Sequence, residues 1–283
     1  MDGEKLFQEF SEISSAQWRD KVETDLKGAD FYKKLVWKTD EGFDVQPYYR
    51  QEDLEKLNKG IAAEEIQAGN DWKIRQDFRL ADSPQECNNK LKDAVAKGMT
   101  SIGIDFGYSP DVKASDVETI LEGIDTGEID IHVRNLSEGH QKPEFLGAVF
   151  DLVAHAPKKA NGSLGVDPLG KLIKTASIEN DAFSKSPSII NAARSAWPKF
   201  KTISIDAGHL QDGGSTLSQE LAFGLSMANE YFSQLSELGV KKEDIANSIM
   251  IEFVTGPNYF MEIAKLRAAR WLWKVILGEW GLD

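Results

Sequence analysis

The chain is poor in the residues from which specialised chemistries are built. One cysteine, Cys87, sits in a predicted helix and can form no internal disulfide, and four scattered histidines lack the spacing of a zinc site. Cations are outnumbered, 33 Lys and Arg against 46 Asp and Glu, for a formal net charge of −13. The basic patch that nucleic acid or an anionic membrane surface requires is therefore missing, and neither is expected as a partner. Long apolar runs are missing too, since nothing approaches the ~20 residues of a membrane span. The opening MDGEKLFQEF has neither the basic nor the apolar segment of a leader. These absences point to a soluble chain in a reducing, cytoplasmic setting.

What remains is ample material for a core, with 41% hydrophobic residues in 283. Residues 1–60 stand apart. Short amphipathic helices are predicted around Lys5–Phe10 and Ala16–Leu26, the second stopped by Gly28. A hairpin follows, with Leu35, Val36 and Trp37 facing Phe43 and Val45 across a turn at Asp40–Gly42. Trp18, Trp37, Tyr48 and Tyr49 add aromatic surface to a segment too short for its own core. It reads as an arm lying on the main domain or on a partner chain.

From Trp72 onward strands and helices alternate. Candidate strands are WKIRQDF (72–78), TSIGIDF (100–106), IDIHVRN (129–135), GSLGVDPL (162–169), KTISIDA (201–207) and SIMIEFV (248–254). Ser83-Pro84-Gln85-Glu86 carries a cap, Pro at the first helical position and Glu at the third, with Gly98 closing that helix; Ser115 with Glu118 repeats the box. The last helix, from near Pro257, aligns Tyr259, Ile263, Leu266, Ala269, Trp273 and Ile276 as a core stripe. A doubly wound sheet would carry a Gly-rich loop after its first strand, and RLADS has none. The expected fold is an α/β barrel of the (β/α)8 TIM type over 61–283, incomplete at about six βα units. Its edge between first and sixth strands is then open to pairing in trans.

Several predicted strands end in a polar residue: Asp77, Asp105, Asn135, Asp167, Asp206 and Glu252. Such residues either converge as metal ligands and acid/base groups or cap the following helices. The stretch KTISIDAGHLQDGGST (201–216) places Asp206, His209, Gln211 and Asp212 among Gly208, Gly213 and Gly214, before a Thr216/Gln219 capping box. A loop His after a barrel strand lies on the face where active sites form. His132 falls inside a strand, and His140 and His155 look like surface residues. Arg75 could hold an anionic group or pair with a neighbouring Asp. A free-standing barrel enzyme using His209, Asp206, Asp105 and Glu252 in acid/base or metal chemistry is one reading of this set.

A family resemblance supplies the other. ISIDAGHLQDGGSTLSQELAFGL resembles the fifth-strand region of methylmalonyl-CoA mutases, and GPNYFMEIAKLRAARWLW the segment after their sixth strand. WKIRQDF and TSIGIDF are similar to the first two barrel strands, and LVWKTDEGFDVQPYY to the N-terminal arm of the small, or beta, subunit. The resemblance implies a cobalamin-dependent enzyme interconverting methylmalonyl-CoA and succinyl-CoA by radical rearrangement, built as a dimer of barrel subunits in which the N-terminal arm of one chain embraces the other.

Carried across residue by residue, the resemblance matches the catalytic subunit's thioester-binding His at His209 and a strand-one Arg at Arg75. It finds Gly208 where that subunit has a Tyr beside its His, Asp77 where a Tyr shapes the radical pocket, and Ile190 where an Arg pairs with the substrate carboxylate. Glu65-Ile66-Gln67 replaces a Thr-Met-Tyr stretch of the substrate channel, and the Asp-x-His-x-x-Gly signature of the cobalamin domain is absent. An unpaired buried carboxylate would cost several kcal/mol by rough estimate. The implied chain is a non-catalytic small subunit with no metal or cofactor of its own. Adenosylcobalamin and the CoA ester are expected in a large, or alpha, partner subunit.

Overall fold

A computed structural model describes residues 10–55, 72–80, 83–106, 113–134, 161–178 and 181–282. The chain divides into two compact units, Met1–Glu64 and Glu65–Asp283. Among the described residues no helix is long and apolar enough to cross a membrane.

In the first unit, helix α1 (Ser15–Asp25) starts at a reciprocal box: Ser14 Oγ accepts from Gln17 N at 3.2 Å, and Gln17 Oε1 accepts from Ser14 N at 2.9 Å. Helix α2 (Phe31–Leu35), strands β1 (Trp37–Lys38) and β2 (Asp44–Val45), and helix α3 (Gln51–Glu55) follow. The strands pair antiparallel with Trp37 opposite Val45, and Gly42 supplies the positive φ, 83°, that their turn requires. Phe31 and Val36 are the buried apolar side chains among this unit's described residues. Trp18 stacks on Tyr48 with centroids 5.1 Å apart, and the Arg19 guanidinium lies 3.3 Å from the Phe31 ring centroid. Tyr32, Trp37, Phe43, Tyr48 and Tyr49 stay exposed. The helix predicted at Lys5–Phe10 lies outside the described residues except for Phe10.

The second unit is organised on a six-stranded parallel sheet: β3 (Arg75–Arg79), β4 (Ser101–Asp105), β5 (Asp130–Arg134), β6 (Gly162–Val166), β7 (Lys201–Asp206) and β8 (Ile249–Glu252), hydrogen-bonded in that order. The sheet is not closed, leaving β3 and β8 as its edges. Helices α4 (Pro84–Ala96), α5 (Ala114–Leu121), α6 (Pro168–Thr175), α7 (Ser186–Ala196), α8 (Gly208–Asp212), α9 (Leu217–Glu237), α10 (Lys242–Ser248) and α11 (Tyr259–Glu279) connect and flank the strands. This is the α/β arrangement of an incomplete barrel. Period-two alternation sorts each strand's residues: Ile102, Ile104, Ile131, Val133, Leu164 and Val166 join one apolar cluster, and Ile203, Ile205 and Ile249 join a second with Ile190, Tyr231 and Phe232. Each fully buried Ile or Leu contributes about 1.5–3 kcal/mol. The opposite parity carries Arg75, Asp77, Gly103, His132, Arg134, Ser163, Asp206 and Glu252.

Local signals behave as their chemistry requires. Ser83 Oγ accepts from Glu86 N, Gly98 closes α4 at φ 99°, and Thr216 and Gln219 form the box that opens α9. Three expectations need correction. Helix α5 starts at Ala114 rather than being capped by Ser115; Asp116 Oδ2 accepts from Lys113 N at 2.8 Å, so the acid two residues before Glu118 closes the turn. The Gly-rich stretch after β7 is not all loop, because Gly208–Asp212 winds into the short helix α8.

The third correction concerns α11. Tyr259, Ile263 and Leu266 are 69%, 40% and 39% exposed, whereas Glu262 and Lys265 are 6% and 4% exposed. Lys265 Nζ lies 2.6 Å from Glu220 Oε2 and 2.8 Å from Glu262 Oε2, and donates to Val254 O. Glu220 Oε1 accepts from Val254 N and Glu262 Oε1 from Gly256 N. The buried face of this first half follows the charged trio and the loop backbone it satisfies, not the apolar spacing. Further along, Trp273 packs on Phe232 with centroids 6.1 Å apart, as predicted.

Candidate functional site

Strands β3, β5, β7 and β8 bring five charged side chains together: Arg134, Asp206 and Glu252 from C-terminal ends, and Arg75 and Asp77 from the start and middle of β3. Asp77 is two residues beyond Arg75, so period two places both on one face, and Arg75 Nε donates to Asp77 Oδ1 at 2.7 Å. Gly103 stands in register with Asp77, and a Cβ there would lie 1.7 Å from Asp77 Oδ1. The absence of that atom lets the carboxylate cross β4 towards β5. There Arg134 Nη1 donates to Asp77 Oδ2 at 2.8 Å. Arg134 Nη2 donates to Asp206 Oδ2 at 2.8 Å and lies 3.2 Å from Glu252 Oε2, while Arg75 Nη1 lies 3.5 Å from Glu252 Oε1. Two guanidinium groups thus bind three carboxylates, with formal charges summing to −1.

Burial raises the Asp77 carboxyl pKa, but hydrogen bonds and charge from Arg134 and Arg75 outweigh it and hold it below its ordinary value. Burial acts against the Arg134 cation, and Glu252, Asp77 and Asp206 more than compensate.

His209, on α8 just after the C-terminal end of β7, reaches the same cluster. Its Nε2 lies 2.9 Å from Asp206 Oδ2, yet it is buried and in no aligned hydrogen bond. The approach is short but the N–H does not aim at the oxygen, so we treat it as an electrostatic contact only. Burial lowers the imidazole pKa, Asp206 opposes this, and Lys174 and Arg134 add to the lowering. The ring is neutral at pH 7. His132, inside β5, pairs its Nδ1 with Ser163 Oγ at 2.8 Å, and burial together with Arg75 brings it down to about 4.

The remaining sequence candidates separate. Asp167 acts as a cap: its Oδ1 accepts from Gly170 N at 2.9 Å and from the Tyr231 hydroxyl at 2.6 Å. Asp105 stands in register with Arg79 and Arg134 at the end of β4. Ile190 is fully buried in the second apolar cluster, away from the charged set, where an Arg would be a cation in a hydrocarbon environment. Gly208 packs so tightly that a Cβ would lie 2.5 Å from Val254 Cγ2. Asn135, His140, His155 and Glu65-Ile66-Gln67 lie outside the described residues.

Asp206 and Glu252 at strand ends and Asp77 within β3 converge, around guanidinium groups. Among the described residues no three His, Cys, Asp or Glu side chains are placed to hold a metal ion. Arg134 is the central residue that the list of strand ends missed. Its signal was parity: it is in phase with His132 and out of phase with the core residues Ile131 and Val133, whereas Asn135 has the core parity.

A family model described as Methylmalonyl-CoA mutase matches residues 111–281. The methylmalonyl-CoA mutase small subunit of Porphyromonas gingivalis is 35% identical over 98% of this chain and 46% of its own length. In Streptomyces virginiae a methylmalonyl-CoA mutase small subunit is 25% identical over 96% of this chain and 46% of its own length, and a large subunit 26% identical over 94% and 41%. The chain spans about half the length of these relatives.

Proposed function

The chain belongs to the methylmalonyl-CoA mutase family, and from that premise we propose that it is the small, non-catalytic subunit of an adenosylcobalamin-dependent mutase, stabilising a large catalytic subunit that interconverts methylmalonyl-CoA and succinyl-CoA. The observation that carries this reading is the mutually paired, net-negative network of Arg75, Arg134, Asp77, Asp206 and Glu252. A carboxylate substrate entering there would meet three carboxylates whose cations are already engaged. Desolvating its charge without a partner is unfavourable by several kcal/mol on a rough scale.

We propose that adenosylcobalamin is not held by this chain. The imidazole at the mouth buries its Nε2 beside Asp206 and is not presented as a cobalt ligand. In this reading the cofactor and the CoA ester are held by the large subunit. The exposed rings of Tyr32, Trp37, Phe43, Tyr48 and Tyr49 supply the arm's subunit contact.

The test is direct. Purified alone with adenosylcobalamin the chain should show no turnover, and mixed with a catalytic large subunit it should co-elute in gel filtration. Turnover by this chain alone, or failure to form the complex, overturns the proposal.

A further inference from the structure

We infer that Arg134 is a positioning residue for His209, acting through Asp206, and that it keeps the imidazole Nε2 turned into the protein. Asp206 is held at both oxygens. Oδ2 accepts from Arg134 Nη2 at 2.8 Å, and Oδ1 accepts from Gly208 N at 3.2 Å, on the residue before His209. The carboxylate therefore links the guanidinium to the backbone that carries the imidazole. Arg134 is fixed in turn, with Nη1 on Asp77 at 2.8 Å and Nη2 also 3.2 Å from Glu252. A planar fork held on both prongs cannot swing away from Asp206 without breaking its other contacts. From the far side Val254 packs against Gly208, leaving no room for a Cβ.

The consequence is chemical. An imidazole that donates to a ligand carbonyl must present an N–H outward. Here Nε2 is buried beside an oxygen already bound to Arg134. The charged groups acting on the ring are Asp206 and Asp212, which favour its protonation, and Arg134 and Lys174, which oppose it. The inference deepens the non-catalytic reading and rests on it only in treating His209 as a retained family position; the geometry stands without a partner subunit.

The experiment is an NMR titration of the His209 Hε1 resonance on the full chain, assigned by its loss in His209→Gln. The wild-type ring should titrate below the ordinary value of about 6.5. Arg134→Gln should raise its proton affinity at least about threefold, and Asp206→Asn should lower it by a similar factor, shifts of roughly half a pH unit. Arg134→Lys keeps the charge without the fork and should fall between wild type and Arg134→Gln. A guanidinium acting on the ring by charge alone would leave Arg134→Lys at the wild-type midpoint, which also overturns the inference. Wild-type titration at about 6.5, or a midpoint unmoved by both Arg134→Gln and Asp206→Asn, overturns the inference. Should Arg134→Gln not fold, Asp206→Asn reads the same link from its other end. Turnover and complex formation are measured separately, so failure here leaves the subunit assignment standing, and the reverse also holds.

Discussion

Arg134 meets three carboxylates with one guanidinium, and its replacement leaves Asp77, Asp206 and Glu252 facing one another with Arg75 alone to answer them. Arg134→Ala should therefore lower unfolding stability by about 2–4 kcal/mol, the range for breaking a partly buried ion pair from one side. Urea unfolding reads this directly. Asp77 adds a pH signature. Its folded pKa lies below its unfolded one, so its contribution is fully present above the unfolded carboxylate value of about 3.9 and is lost as pH falls through the lower folded value. Asp77→Asn should lower the urea midpoint at pH 7 and flatten its decline below about pH 4. An equal acid decline in the variant would assign it to other carboxylates. Gly103 belongs to the same system, because Gly103→Ala places a methyl on Asp77 Oδ1 and should destabilise by about as much as Asp77→Asn.

At the level of elements, α11 offers the clearest contrast between pattern and packing. Lys265→Met removes the cation between Glu220 and Glu262 and should cost about 3–5 kcal/mol, whereas Phe260→Ala, on the exposed side, should stay within about 0.5 kcal/mol. Thermal melts of the two variants check both. Strands β4 to β8 were legible because Ile, Val or Leu recurs at alternate positions, a signal each carries alone, whereas β3 offers only Phe78 to the core. The caps at Ser83 and Thr216 were legible for the same reason, since donor and acceptor lie within three residues. The burial of Lys265 was not, because Glu220 is 45 residues away on α9. The role of Arg134 was not either, its partners Asp77 and Asp206 being 57 and 72 residues distant on other strands. Charged residues whose partners come from distant strands look, in sequence, like solvent-facing ones.

For the molecule as a whole, the arm can be tested apart from the sheet. Replacing Trp37 and Tyr49 with Ala should leave the melting temperature nearly unchanged, since both side chains are exposed, while weakening co-elution with a large subunit at least tenfold. A complex of undiminished affinity would move the contact off these rings. A last consequence concerns the coupling of two distant positions. The family resemblance puts a Tyr where Gly208 stands, and Val254 now fills the space in which even a Cβ would lie 2.5 Å away. A side chain at 208 therefore requires the Val254 side chain to move. Positions 208 and 254, on different elements, thus compete for one space, and a change at either has to be read together with the other.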